Sequence, residues 1–204
     1  MSKPSPFIVP AAPVLRLNPP SGPQWVHECK FDGWRGQLHK AGDDVVVFSR
    51  YGKDITRRFR AIAHSLRVLP TKSAIIDCEL VACDGDGMPS FSALMAGGDT
   101  LCAWCFDLME LNGRDLREKA LSIRKAKLRD LLITADDDVL RYSDGFADPM
   151  KLLAVTQKMR LEGIVSKRAD QPYRSGKASG WTKTKTATWR AANRERYKLF
   201  EHSY

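Results

Sequence analysis

Residues 28–35, Glu-Cys-Lys-Phe-Asp-Gly-Trp-Arg, constrain the fold more than any other stretch of this sequence. The sequence before them predicts a strand that continues through Lys30, and its period of two places Glu28 and Lys30 on one face. An aspartate and a glycine at 32–33 then predict a turn. Arg35 follows that turn, within reach of the groups that Lys30 contacts. A carboxylate, an amine and a guanidinium are therefore expected together at the end of one strand.

The length and composition favour one soluble domain. The chain has 204 residues, of which 43% are hydrophobic. This length suffices for one substantial core and is too short for two full-sized domains. No apolar run reaches the roughly 18 residues of a membrane span, and the N-terminus lacks the layout of a signal peptide. These features predict a cytoplasmic protein with no membrane span.

The net charge of +9 and a pI near 9.4 favour a polyanionic partner. The charge is concentrated between Lys158 and Arg190, where nine basic residues stand against two acidic ones. The stretch before it, which contains three aspartates at 136–138, is acidic. Such asymmetry suits a phosphate-binding face, although a solvated run of charges would give the same pattern.

The five cysteines do not predict a disulfide framework, because their number is odd and no export signal is present. Cys102 and Cys105 have a spacing that suits zinc. However, they lie in an apolar run that predicts a strand, where residues three apart point to opposite faces. Buried packing residues are therefore the favoured interpretation.

The chain divides into three segments. Residues 1–24 hold seven of the eleven prolines and predict an extended arm without helix or central strand. Residues 25–187 form the predicted domain, and residues 188–204 a C-terminal basic helix. Strands are predicted at 25–30, 36–40, 45–49, 74–83, 101–109, 139–142, 163–167 and 180–185, and helices at 56–69, 92–96, 118–132, 148–160 and 188–200.

In two of these elements the sequence predicts which side chains share a face. In the strand at 74–83, alternation places Ile75, Asp77, Glu79 and Val81 on one face, opposite Ile76, Cys78, Leu80 and Ala82. The helix at 118–132 is predicted to be basic and amphipathic, with leucines inward. Its predicted outward residues are Arg117, Lys119, Arg124, Lys125, Lys127 and Arg129.

Five further short motifs follow Lys30–Arg35 along the chain. They are Ser49–Gly52, Asp77–Leu80, Phe106–Leu108, Glu162–Val165 and Trp181–Lys185. In this order they resemble motifs I, Ia, III, IIIa, IV and V of the covalent nucleotidyltransferases. The amino-acid sequences within and around these motifs most resemble those of bacterial ATP-dependent DNA ligases of the end-joining type. The resemblance implies an α+β fold, in which two antiparallel β-sheets flanked by helices hold ATP between them.

The resemblance also implies a role for each motif residue. Lys30 would attack the α-phosphate of ATP, AMP would pass to a 5′-phosphate at a nick, and the 3′-hydroxyl would displace AMP. Lys183 and Lys185 alternate on one predicted strand, so both ammonium groups would point at the transferring phosphate. The remaining roles are adenine recognition for Glu28, ribose binding for Arg35, base stacking for Phe106, ribose and Mg²⁺ or Mn²⁺ contacts for Glu79 and Glu162, and contact with the nick phosphate for Arg50.

The expected partner is nicked double-stranded DNA, and the protein is expected to be a monomer. The ligases that it resembles continue into an OB-fold domain with motif VI, whose basic residues orient pyrophosphate. Only nineteen residues follow Lys185, so we expect no OB-fold domain here. A separate OB-fold or repair protein is then an expected partner. Two alternatives stay open, namely a non-catalytic DNA-end-binding protein and an RNA ligase.

Overall fold

A computed structural model describes residues 5–83, 89, 91–96, 100–134 and 138–193. In this part of the chain the strands are β1 (Val14–Leu15), β2 (Trp25–Lys30), β3 (Trp34–Ala41), β4 (Asp44–Ser49), β5 (Ser73–Ala82), β6 (Leu101–Leu111), β7 (Arg114–Asp115), β8 (Leu140–Tyr142), β9 (Gly163–Arg168) and β10 (Thr182–Lys185). The helices there are α1 (Arg60–Val68), α2 (Phe91–Ala96), α3 (Leu121–Ile133), α4 (Pro149–Lys158) and α5 (Ala187–Ala192).

The strands form two sheets, which confirms the predicted α+β architecture. The smaller sheet has the order β1-β10-β9-β2. The larger has the order β4-β3-β5-β6-β7, and β8 also pairs with β6. Pairing is antiparallel except between β1 and β10 and between β6 and β8. These two parallel pairs join strands that are well separated in sequence, as parallel pairing requires.

The alternation predicted for β5 is confirmed. Ile76 and Leu80 pack in the main core with leucines of α1 and α3, whereas Ile75 and Val81 belong to two smaller clusters on the other face. The cysteines of β6 also point to opposite faces as predicted. Cys102 packs beside Val81, and Cys105 lies in the main core.

Helix α1 begins at Arg60 rather than at 56, and its N-cap is Phe59 without a side-chain hydrogen bond. The sequence predicts Asp54 or Thr56 as the N-cap of this helix. Asp54 does not cap it, because its carboxylate accepts from the Thr56 amide and hydroxyl at 2.9 and 2.6 Å and closes a turn before it. The sequence Asp148-Pro149 predicts Asp148 as the cap of α4, and this is confirmed, since its side chain accepts from two amides of the first turn.

Two predictions concern segments that lie partly or wholly outside the described residues. The final helix runs from Ala187 to Ala192 with Asn193 as its C-cap, and residues 194–200 of the predicted 188–200 helix lie outside the described residues. Residues 84–87, Asp-Gly-Asp-Gly, for which the sequence predicts a hairpin turn, also lie outside the described residues.

The outward orientation predicted for Arg124 and Lys125 of α3 is wrong, because both side chains are buried. The Arg124 guanidinium donates to both Asp107 carboxylate oxygens at 2.7 and 2.8 Å. Lys125 contacts Glu28, 97 positions earlier in the chain. Two cations therefore lie on the packed face of the helix, whereas Lys127 stays exposed.

The N-terminal segment lies along the domain and contacts both sheets. Its strand β1 pairs with β10, and the Arg16 amide donates to the Lys183 carbonyl at 2.9 Å. The side-chain amide of Gln37, on the larger sheet, donates to the Ile8 carbonyl at 2.5 Å. No helix in the described residues is long and apolar enough to cross a membrane.

Candidate active site

The cleft between the two sheets brings most of the predicted site residues together. A small pocket of about 60 Å³ is lined by Pro13, Glu28, Cys29, Lys30, Phe31, Arg35, Glu79, Phe106, Val165, Lys167 and Trp181. These residues come from both sheets and from the N-terminal segment. Glu162 and Lys185 join the site through ion pairs that lead to Lys30.

Lys30 is the last residue of β2 and belongs to a row of ion-paired side chains. Its Nζ lies 2.5 Å from Glu162 Oε2, and Glu162 Oε1 lies 3.2 Å from Lys185 Nζ. Burial lowers the pKa of Lys30, but the Glu162 and Glu79 carboxylates outweigh it and hold the pKa above its ordinary value. Lys30 is therefore an ammonium ion in this arrangement. Its side chain keeps 21% of its surface exposed, so the amine is reachable from the cleft.

The carboxylates beside Lys30 differ from those that the sequence indicated. From the sequence, the Glu28 and Asp32 carboxylates near Lys30 are expected to oppose its deprotonation, but the Glu28 carboxylate is bound by other lysines. Glu162 and Glu79 take that position, and Asp32 contributes as expected. The difference arises because β9 pairs with β2, which places the residue preceding Gly163 beside Lys30.

Glu79 lies in the pocket on β5. Burial raises its pKa to about 7, although Lys30 and Arg35 act in the opposite direction. Near neutral pH this carboxyl is therefore divided between its protonated and ionised forms. Small changes in nearby charge will change that balance.

Lys183 and Lys185 both lie half-buried on β10. Burial lowers the pKa of Lys183, and the positive charges of Lys30 and Lys185 lower it further. Burial also lowers the pKa of Lys185, against the influence of Glu162. Three ammonium groups thus share one end of the cleft, where an anion of high charge would relieve their mutual repulsion.

Arg35 is held by a buried carboxylate between two aromatic rings. Its guanidinium donates to both Asp77 oxygens at 2.6 Å, and the Tyr173 hydroxyl donates to Asp77 at 2.7 Å. The guanidinium carbon lies 4.6 Å from the centre of the Phe106 ring and 5.6 Å from that of Trp181. Arg35 and Phe106 therefore form one preorganised wall of the pocket.

Glu28 is the centre of a buried cluster that sequence reasoning missed. Lys125 Nζ donates to Glu28 Oε1 at 2.9 Å, Lys167 Nζ donates to Oε2 at 2.8 Å, and the Ser143 hydroxyl lies 3.2 Å from Oε2. Burial raises the pKa of Glu28, but Lys125 and Lys167 outweigh it and hold the pKa below its ordinary value. Burial lowers the pKa of Lys167 to about 8.

The sequence contained a signal for only one of the two lysines. Lys167 lies on β9, in the same strand as motif IV, and alternation places it on the face of Val165. Lys125 lies within a basic helix, where nothing distinguishes it from its exposed neighbours.

Arg50 lies outside the pocket, exposed at the end of β4. Its guanidinium carbon is 5.9 Å from the ring centre of Tyr51, a side chain that is 87% exposed. Its charge contributes to lowering the pKa of Lys183, so it lies on the side of the cleft where the lysines gather.

A second cavity of about 630 Å³ shares Cys29 and Phe31 with the pocket. It is lined mainly by apolar side chains of α4 and the preceding loop, with Trp104 stacked on Phe31 at 4.4 Å. This cavity is larger, but the Lys30 amine and the carboxylates of Glu28 and Glu79 line the smaller pocket. The smaller pocket is therefore the candidate active site.

The two-sheet fold, with a lysine at a strand end inside the cleft, is that of the covalent nucleotidyltransferases. The protein-family model described as ATP dependent DNA ligase domain matches residues 15–185 of this chain. The chain belongs to this family, as the motifs predicted.

Among curated relatives, the chain is 37% identical over 185 residues to the multifunctional non-homologous end joining protein LigD of Pseudomonas aeruginosa. That match covers 88% of this chain and 22% of that protein. A probable DNA ligase of Mycobacterium sp. strain KMS is 31% identical over 170 residues, which cover 78% of this chain and 33% of the relative. The chain therefore spans a third or less of these relatives.

Solved structures show the same fold. The ligase domain of LigD from M. tuberculosis superposes with a TM-score of 0.73 and 29% identity, covering 86% of this chain and 60% of that one. Mycobacterial DNA ligase D in complex with ATP and MES has a TM-score of 0.69, also at 29% identity, and covers 89% of this chain and 60% of that chain. The predicted ligase fold is confirmed.

Proposed function

We propose that this chain is the adenylate-forming core of an ATP-dependent DNA ligase of the end-joining type. The observation that carries the proposal is the ion-paired chain from Lys30 through Glu162 to Lys185, at the mouth of a pocket with an aromatic wall. An amine, two carboxylates and additional lysines suit transfer of a nucleotidyl group from a triphosphate.

In the proposed first step, the Lys30 ammonium loses a proton and its Nζ forms a bond to the α-phosphorus of ATP. The bond to pyrophosphate breaks and a second proton leaves the nitrogen. Lys183 and Lys185 stabilise charge on the phosphates. Glu28 and Phe106 recognise the base, and Arg35 borders the ribose. AMP then passes to the 5′-phosphate of a nick, and the 3′-hydroxyl displaces it.

The carboxylates of Glu79 and Glu162, which both act on Lys30, are proposed to hold a divalent cation. In the described residues no group of three or more His, Cys, Asp or Glu side chains is placed to hold a metal. Two carboxylates, with phosphate oxygens and water completing the shell, suit Mg²⁺ or Mn²⁺. When bound, such an ion would neutralise charge between the phosphates. Any positive charge near Glu162 also weakens the field that keeps Lys30 protonated.

The proposed substrate is nicked double-stranded DNA, bound in the cytoplasm by a monomer. Arg50, which is exposed on the side of the cleft where Lys183 and Lys185 gather, supports a duplex that lies across the mouth of the cleft. A separate OB-fold or repair protein that supplies motif VI residues is proposed to assist the first step.

Self-adenylation can be measured directly with ATP labelled at the α-phosphate and with Mg²⁺. We expect label on the protein that resists denaturation, none on Lys30→Ala, and normal labelling of the surface variant Lys127→Ala. Added OB-domain protein should accelerate labelling. An unlabelled wild type, indistinguishable from Lys30→Ala with and without that protein, would overturn self-adenylation.

Sealing is tested with a nick that already carries AMP on its 5′-phosphate, because this substrate requires no ATP. We expect sealing of nicked DNA and a slower reaction with nicked RNA. Tight, steeply salt-dependent binding of nicked duplex without sealing would instead support the non-catalytic DNA-end binder. Faster sealing of RNA would support the RNA ligase.

A further inference from the structure

Lys125 is a buried lysine behind the nucleotide pocket. Its Nζ donates to Glu28 Oε1 at 2.9 Å and to the Ser143 carbonyl at 2.7 Å, and it lies 4.6 Å from the Tyr142 ring centre. The residue is 7% exposed. Glu28 and Lys167 line the pocket, whereas Lys125 does not. Lys125 therefore acts on a bound nucleotide indirectly, through pocket residues, and Glu28 is the pocket residue that it hydrogen-bonds.

The contacts of Glu28 restrict where a ligand can approach it. An ionised carboxylate is purely an acceptor, with roughly four lone-pair positions on its two oxygens. Lys167 and Ser143 both lie within hydrogen-bond distance of Oε2, and Lys125 takes one position on Oε1. The remaining acceptor capacity is therefore concentrated on Oε1, the oxygen that Lys125 orients.

We propose that Lys125 is a positioning residue for base selection, which holds Glu28 as an ionised and oriented acceptor at the end of the pocket. This inference rests on the proposed function, in which the pocket binds a nucleoside triphosphate. A base that presents an exocyclic amino group donates to the oriented Oε1. A base that presents a carbonyl at that position places its oxygen against Oε1, where two acceptors repel each other. The site then prefers adenine to a 6-oxopurine.

The variant Lys125→Met keeps a long apolar stem and removes the charge. We expect the KM for ATP in self-adenylation to rise about tenfold, kcat to change less than about twofold, and preference for ATP over GTP to fall about tenfold. Lys125→Arg should recover most of the preference. Lys127→Met, on the exposed side of the same helix, serves as the matched control and should behave as wild type.

A double-mutant cycle separates positioning from general loss of structure. If Lys125 acts through Glu28, then Lys125→Met should change the ATP to GTP preference far less in a Glu28→Gln background than in wild type. Thermal unfolding of each variant establishes that the measured protein is folded. A fall in kcat with unchanged nucleotide preference, or an equal effect in both backgrounds, would overturn the inference.

Equilibrium binding of ATP and of GTP, measured by calorimetry on the same proteins, does not depend on label transfer. A wild type that binds ATP without becoming labelled would contradict the proposed function. The effect of Lys125 on the preference for ATP over GTP could still be measured by binding. A wild type that is labelled, with Lys125→Met equal to Lys127→Met in both assays, would overturn only the inference on Lys125.

Discussion

Lys30 Nζ and Glu162 Oε2 lie 2.5 Å apart, so the proposed nucleophile is held as one half of an ion pair. The pair keeps the amine in place but also keeps it protonated. Glu162 contacts Lys185 through its other oxygen, and the three groups therefore respond together to any charge that enters the cleft.

The first prediction concerns the titration of Lys30. Because Glu162 and Glu79 outweigh burial, the wild-type amine should lose its proton only above its ordinary pKa. In Glu162→Gln one carboxylate is lost while burial persists, so the pKa of Lys30 should fall. Competitive acetylation across a pH series, read by mass spectrometry, measures this. Identical profiles for the two proteins would show that Glu162 does not control Lys30.

The second prediction is a pH dependence of stability through Glu79. Its pKa is about 7 in the folded protein and 4.5 ordinarily, so between these values the folded state binds more protons than the unfolded state. Its contribution to the free energy of unfolding is therefore greatest at low pH and falls as pH rises from about 4.5 to about 7.

Glu79→Gln removes this titration. As pH rises across that range, the free energy of unfolding of the variant should increase relative to that of the wild type by on the order of 1–2 kcal/mol. Urea denaturation of both proteins at pH values from 4.5 to 8 measures the difference. A constant difference would mean that the Glu79 carboxyl titrates normally.

The third prediction concerns the buried pair of Arg124 and Asp107, whose side chains are both fully buried. Removing one partner of such a pair leaves an uncompensated charge, so Arg124→Met should lower the free energy of unfolding by about 3–5 kcal/mol. Arg129→Met, at an exposed position of the same helix, should change it by less than about 0.5 kcal/mol. Similar losses in both variants would argue against a special role for the pair.

The fourth prediction concerns Arg50 and DNA. Arg50→Ala should weaken binding of nicked duplex and lower the salt slope of the binding constant by about 1, as expected for one lost phosphate contact. Labelling of Lys30 by ATP should be retained, because Arg50 lies outside the pocket. Fluorescence anisotropy at several salt concentrations gives both quantities, with Arg129→Ala as control. An unchanged slope would remove Arg50 from the DNA-contacting surface.

Local patterns predicted much of the framework. The alternation of β5 correctly separated Ile75 and Val81 from Ile76 and Leu80, because a strand has a period of two whatever it pairs with. The helix boundary near Thr56 was less predictable. There a short-range hydrogen bond from Thr56 to Asp54 competed with the start of the helix.

The sequence by itself determined the class of fold and the order of the motifs, and it predicted Lys30 as the reactive lysine, because each depends on residues close together in the chain. Only the tertiary structure decided that Glu162 and Glu79 set the charge of Lys30, and that Arg124 and Lys125 are buried. Charged side chains enter a protein interior when a partner of opposite charge is present. Here those partners lie on other elements, 17 positions away for Arg124 and 97 for Lys125, so helical periodicity carries no trace of them.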